Sequence, residues 1–249
     1  MTASSQTVTP TYSPDKAPGE YRNHGAFAAI KNDGSIVTWG RANQGGDSSG
    51  VADAIDADGT PAVTQVFSAI YAFAALREDG SVVTWGNDGR GGDSSGVADE
   101  ISADGMPAVT QVFSAEEAFA VLREDGSVIT WGREQFGGDS SGVADAVDAN
   151  GTPAVTQVLS TQHAFTALRE DGSVVTWGRD QLGGDSSGVA DEIDADGTPA
   201  VTQVFSTRSA FAALREDGSV VTWGVGNSGG DSSSVADEID ADGTPSVTQ

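Results

Sequence analysis

Five tryptophans, Trp39, Trp85, Trp131, Trp177 and Trp223, follow one another at intervals of 46 residues, and no other feature limits the possible folds of this chain so tightly. The same step separates Phe27, Phe73, Phe119, Phe165 and Phe211, and Pro61, Pro107, Pro153, Pro199 and Pro245, with no insertion or deletion. A constant period of this length marks a repeat architecture, in which each unit is one supersecondary element that buries its apolar face against its neighbours. Counting five such units back from Gln249 starts the array at Glu20. Residues 1–19, rich in Thr, Ser and Pro, read as an extended or disordered N-terminal arm, and residues 20–249 as a five-repeat domain.

Each unit reads as strands. In the second, VTQVFS (63–68) and AFAALR (72–77) are β-favouring runs, followed by Asp79-Gly80 and SVVTW (81–85). Asp-Gly between two such runs is a strong hairpin signal, because both residues tolerate the positive φ of a tight turn. Val97–Ile101 fits either a short outer strand or one helical turn. AFAAL and SVV are apolar at consecutive positions, as in strands covered on both faces. Blades packed around an axis supply that cover, and 46 residues falls within the range of propeller repeats, about 40 to 50. The predicted fold is therefore all-β, a five-bladed β-propeller. An open β-solenoid or a fragment of a longer array is the alternative. The array ends within a strand at Val247–Gln249 and begins with Glu20, Tyr21 and Arg22, so the two ends are expected to share one blade and close a ring.

The run AFAALREDGSVVTWG (72–86) with the glycine-rich loop after it resembles the repeat of the regulator of chromosome condensation family. It looks closer still to the W-G-x-x-x-x-G-G-D-S-S arrays of very large predicted surface proteins of marine microbes. The resemblance implies propeller blades. Well-known members of that family have seven blades and act as nucleotide-exchange factors or bind chromatin, so an exchange-factor-like intracellular regulator is one functional alternative. None of the family's functional residues has a counterpart here that can be carried over.

Charge narrows the partners. With 12 basic and 37 acidic residues the net charge is −25, which disfavours nucleic acid and anionic lipid. The most apolar run, Val66–Leu76, is too short to span a bilayer. Without cysteine there is no disulfide or thiolate site. The N-terminus lacks the basic and apolar regions of a secretory signal, so the expected extracellular or cell-surface location needs another export route or a longer parent chain. No enzyme is expected: the two histidines, His24 and His163, lie in equivalent loops of different units without a partnered base or nucleophile.

GGDSS recurs unchanged at 45–49, 91–95, 137–141, 183–187 and 229–233, and reads as a framework turn. The tryptophans read as blade packing, with each indole N–H bonded to a neighbouring loop. The acidic stretches suggest calcium. Glu192, Asp194 and Asp196 before Gly197, and Glu238, Asp240 and Asp242 before Gly243, space carboxylates as the opening of an EF-hand-type loop does, although Gln203 stands where the closing Glu belongs.

What varies among units is more telling. One window precedes each Ala-Phe pair: Arg22, Asn23 and His24; Ala69, Ile70 and Tyr71; Ala115, Glu116 and Glu117; Thr161, Gln162 and His163; Thr207, Arg208 and Ser209. The other follows Trp-Gly and contains Arg41, Asn43 and Gln44; Asn87, Asp88 and Arg90; Arg133, Glu134, Gln135 and Phe136; Arg179, Asp180, Gln181 and Leu182; Asn227 and Ser228. In an antiparallel meander both windows lie at the end opposite the Asp-Gly turn. All ten are expected on one rim. A diversified loop face on a constant scaffold points to a non-enzymatic binding or adhesion module for a glycan or protein. A structural spacer within a large surface protein or filament is the competing function.

Overall fold

The computed structural model describes residues 9–10, 22–56, 61–104, 107–149, 153–195, 199–241 and 247. The chain is all-β, built as five antiparallel three-stranded blades in sequence order. The middle strands are Ala26–Ile30, Ala72–Arg77, Ala118–Arg123, Ala164–Arg169 and Ala210–Arg215. Each pairs with a following strand that ends in Trp-Gly, setting Phe opposite Trp, as in Phe73↔Trp85 and Phe165↔Trp177. In blades two to five the first strand is Val63–Ser68, Val109–Ser114, Val155–Ser160 or Val201–Ser206. First strands of successive blades touch one another, so they lie innermost.

The hairpin glycines adopt the expected left-handed conformation, with φ of +77° at Gly80 and +79° at Gly126. In these turns the Asp carboxylate accepts bonds from the Ser two residues on, for example Ser127 N to Asp125 Oδ1 at 3.0 Å. The stretch after GGDSS forms a 3₁₀ turn and, in four of the five units, a helical turn such as Ala144–Val147. At Val97–Ile101 itself the 3₁₀ turn runs on into a hydrogen-bonded turn, Ile101 N–H donating to Val97 O at 3.2 Å, so no outer strand forms there and the blade stops at three strands.

Successive blades meet through one repeated interface. The second variable window and the helical turn of one unit cover the Phe–Trp pair of the next: Phe136, Val143 and Val147 pack with Phe165 and Trp177. In four of the five units the indole N–H donates to a glycine carbonyl of the preceding unit: Trp85 to Gly45 at 3.0 Å, Trp131 to Gly91 and Trp177 to Gly137 at 3.1 Å, and Trp223 to Gly183 at 3.3 Å. That is the role expected of the tryptophans. The four apolar clusters are the four junctions between consecutive blades.

The expected shared closing strand is not formed among the described residues. Thr9 and Pro10 pair with Ile30 and Ala29 instead, so two residues assigned to the arm contribute the first strand of blade one. Glu20, Tyr21, Thr248 and Gln249 lie outside the described residues. Val247 holds the place at which Val63, Val109, Val155 and Val201 begin the next blade's first strand: its N–H donates to Gly218 O at 3.2 Å, as theirs donate to Gly34, Gly80, Gly126 and Gly172 O of the blade before. Trp39 is 46% exposed whereas Trp85 is 4% exposed, and Phe27 is 57% exposed against 3% for Phe73. Among the described residues nothing therefore covers the front of blade one, and Val235 on the back of blade five is likewise exposed.

Candidate functional site

The variable windows gather on one rim because the main chain joins them twice. Within each unit the residue after Trp-Gly donates its N–H to the carbonyl just before the Ala-Phe pair: Arg41 to Gly25, Asn87 to Tyr71, Arg133 to Glu117, Arg179 to His163 and Val225 to Ser209. This binds the two windows of a unit side by side. Between units a second ladder runs through the first window alone. His24 N–H donates to Ile70 O, Ile70 to Glu116, Glu116 to Gln162 and Gln162 to Arg208, all within 3.0 Å. Register follows the period, so His24 is the counterpart of Ile70, Gly25 of Tyr71 and His163, and Arg22 of Ser68, one place outside the window.

Side chains extend this ladder into a network across all five blades. The His24 ring meets the Tyr71 ring edge-on at 5.8 Å, and the Arg90 guanidinium lies 4.4 Å over the same tyrosine. Arg90 and Arg133, from neighbouring units, clamp Glu117 with Nη1–Oε distances of 2.8 and 2.7 Å. Arg133 also lies 5.2 Å over Phe136, whose ring is 4.4 Å from that of His163. His163 Nε2 sits 3.6 Å from Glu116 Oε2. Gln162 bridges Glu116 and Arg208, donating to the first and accepting from the second. Asn23 Nδ2, Thr161 and Thr207 tie first to second windows by bonds to Gln44 O, Leu182 O and Ser228 O at 2.7, 3.0 and 2.8 Å.

Burial tunes two groups. Desolvation raises Glu116 above the ordinary carboxylate range, opposed by the charge of Arg208 and reinforced by Glu117. Burial also lowers His163, helped by Arg179, which favours its neutral imidazole.

The structure divides the rim residues singled out in the sequence. Arg22, His24, Arg41, Asn43, Asp88, Arg133, Glu134, Gln135, Arg179, Asp180, Gln181, Arg208 and Asn227 are exposed, while Asn23, Tyr71, Asn87, Arg90, Glu116, Gln162, His163, Leu182 and Ser228 are half-buried. Gln44, Ile70, Glu117, Phe136 and Ser209 are buried, which makes them supports of the rim and not contact groups. Phe136 and Ile70 were expected to touch a ligand; they fill the seams between blades because the windows lie where neighbouring units abut.

Charge is sorted in the same way. Five of the twelve basic residues, Arg41, Arg90, Arg133, Arg179 and Arg208, stand in the rim windows and Arg22 stands one place outside, alongside the window residues Asp88, Glu116, Glu117, Glu134 and Asp180. The windows are thus close to neutral on a chain whose net charge is −25. By contrast Arg77, Arg123, Arg169 and Arg215 are pinned near the Asp-Gly turns by bonds of 2.6 to 2.7 Å to Ser81, Ser127, Ser173 and Ser219.

GGDSS is framework, as read from the sequence. Gly91 has a φ of +95°, Thr84 Oγ1 donates to Gly92 O at 3.1 Å, and Asp93 Oδ1 accepts from Ser95 N at 2.8 Å. Of the residues considered for calcium, Asp196 and Asp242 lie outside the described residues. Among the described residues, which include Glu192, Asp194, Glu238 and Asp240, no group of three or more potential ligands gathers around a common point.

Neither a protein-family model nor a curated protein matches the sequence. Solved structures do. Yeast RCC1 (Prp20), in a complex with Kap60, is 19% identical over 82% of this chain and 55% of its own, with a TM-score of 0.50. The fold is that of an RCC-type propeller. Prp20p from Saccharomyces cerevisiae, studied with its binding to Gsp1p and histones, matches at 17% identity, 90% and 59% coverage and a TM-score of 0.49. Human WBSCR16 matches at 18% identity, 81% and 60% coverage and a TM-score of 0.48. The chain spans less than two thirds of each of these proteins. At such identities the likeness fixes the architecture and assigns no residue a role. Among the described residues no helix is long and apolar enough to cross a membrane.

Proposed function

We propose that this protein is a non-enzymatic binding module whose variable rim docks onto a partner protein. One observation carries the reading: residues that differ from unit to unit form a single connected network from His24 to Arg208, while the framework beneath them is constant. A relief spread over five blades suits a macromolecular surface better than a small ligand. The near-neutral, arginine-bearing rim is also the part of an acidic body that a carboxylate-bearing partner can approach with least repulsion. Exposed Arg133, Arg179 and Arg208 are the groups placed to take its carboxylates.

Photo-crosslinking tests the face that binds. A crosslinker at Asn87, Gln135, Gln181 or Asn227 should capture one recurring protein from cell-surface extracts, and one at Glu78 or Glu124 on the opposite rim should not. Substituting Arg133, Arg179 and Arg208 together with Ala should abolish capture. Equal capture from both rims would refute the assignment, and selective retention on a glycan array would replace protein by carbohydrate.

A further inference from the structure

Four times over, the chain shows what covers the front of one of its blades: the back of the blade before it. Each junction carries the same two kinds of bond. A first-window N–H of the leading unit donates to the carbonyl 46 residues on, and the indole of the following unit donates back to a GGDSS glycine carbonyl. The rings of the following unit fill the space over that glycine, so a Cβ on Gly45, Gly91, Gly137 or Gly183 would strike Phe73, Phe119, Phe165 or Phe211.

At the two ends the halves of this junction stand apart. On blade one the Trp39 indole N–H and the His24 carbonyl have no partner among the described residues, and Phe27, Val37 and Trp39 are exposed. On blade five the Arg208 N–H and the Gly229 carbonyl are likewise unpartnered among the described residues. Val235 is exposed where its counterparts at 51, 97, 143 and 189 are packed, and the space above Gly229 holds no ring. The same back face carries an apolar hollow of about 490 Å³ lined by Phe205, Ala212, Leu214, Val220 and Val247, the counterparts of Phe67, Ala74, Leu76, Val82 and Val109 in the second blade's junction. Every donor, acceptor and ring missing at one end has its complement at the other.

We infer that these end faces form an interface between copies of this chain, with the front of blade one of one molecule seated on the back of blade five of the next. Arg208 N–H then donates to the partner copy's His24 carbonyl, the partner's Trp39 indole donates to Gly229 O, and the Phe27–Trp39 stack, now at 5.3 Å, covers that glycine. The contact is heterologous and leaves a free front and a free back on every pair, so growth continues beyond two copies. Each copy carries −25, so added salt screens the repulsion and strengthens the assembly.

Mixing two blocked variants tests the inference. Phe27→Ser/Trp39→Ser removes the front and Val235→Glu/Ile239→Glu the back; the altered rings and Val235 are already exposed and Ile239 is partly so, and circular dichroism verifies folding. By sedimentation velocity up to roughly 0.2 mM, the unaltered protein should grow past a dimer, more so at high salt. Each variant alone should stay monomeric, and an equimolar mixture of the two should stop at a one-to-one dimer. Acrylamide quenching of Trp39 fluorescence should fall as the protein assembles. A monomer throughout overturns the inference: if Trp39 is shielded in it, the chain covers its own front, and if Trp39 is open, nothing docks there. Dimers formed by either variant alone overturn it as well.

Discussion

Replacing Gly137 by Ala separates the contribution of the blade junction from that of the turn. Gly137 has a φ of +85°, and an added Cβ would lie 2.5 Å from Phe165 Cδ2 and 2.9 Å from Cε2 in the next blade. The left-handed conformation costs an alanine about 1 to 2 kcal/mol. Forcing a buried ring aside costs about 1 to 3 kcal/mol more, because a close-packed interior relaxes only in part. The expected loss is therefore about 2 to 5 kcal/mol. Two controls sit in the same molecule. Gly229 has a φ of +101° but only Thr207 Cγ2 at 3.7 Å, so in monomeric protein Gly229→Ala should lose the conformational part alone, about 1 to 2 kcal/mol. Gly142 lies in a 3₁₀ turn with no atom within 4 Å of the built Cβ, so Gly142→Ala should be neutral or stabilising by up to about 1 kcal/mol. Urea titrations followed by circular dichroism and tryptophan fluorescence give the comparison. The two probes must agree, since repeat arrays can unfold in stages. Equal losses for Gly137→Ala and Gly229→Ala would show that the ring of the following blade does not press on the glycine, and the junction described above would be wrong.

Trp131→Phe should cost about 1 to 3 kcal/mol, through the bond to Gly91 and lost ring contact, whereas Trp39→Phe in monomeric protein should cost less than about 0.5 kcal/mol; urea midpoints decide. Glu117→Ala leaves Arg90 and Arg133 without their shared carboxylate. Because both arginines are partly solvated, about 1 to 2 kcal/mol is expected, to be measured in a double-mutant cycle with Arg133. Acid should weaken the Asp-Ser turns. Burial pulls Asp125 upward, but the bonds from Ser127 and the charge of Arg123 outweigh it and hold the carboxyl below its ordinary value. A depressed folded value gives stability that is complete above about pH 4 and lost as the pH falls through that value, so the stability gap between wild type and Ser127→Ala should be constant above that pH and shrink below it. His163 should titrate below the usual imidazole value in a proton NMR series, since burial and Arg179 both disfavour its charged form.

Much of this was legible in the sequence, because repetition fixes one unit and multiplies it. The 46-residue step, the consecutive apolar positions of AFAAL and the Asp-Gly turns together specified blades, and the end opposite those turns specified the rim. Ring closure was not legible. A junction has the same residues on both sides whether the array closes or stays open, and what decides is the angle between blades, which no residue pattern records. The burial of Phe136 and Glu117 escaped for a related reason: a window looks like a free loop when a unit is read alone, and only the neighbouring unit covers it. Thr9 and Pro10 escaped because they break the period that revealed everything else. The polar tethers Asn23, Thr161 and Thr207 carried a signal, being the bond-forming residues at a position that is Ala69 or Ala115 elsewhere.

The ladder through His24, Ile70, Glu116, Gln162 and Arg208 is made by peptide groups, which every amino acid at those places supplies alike. Units joined in that manner are interchangeable parts. Reordering them, or exchanging a window between two of them, would leave each hinge of the assembly with its bond while rewriting the text displayed above it. A handful of such cassettes can thus spell many distinct surfaces on one chassis, with no need to redesign a joint for each new word.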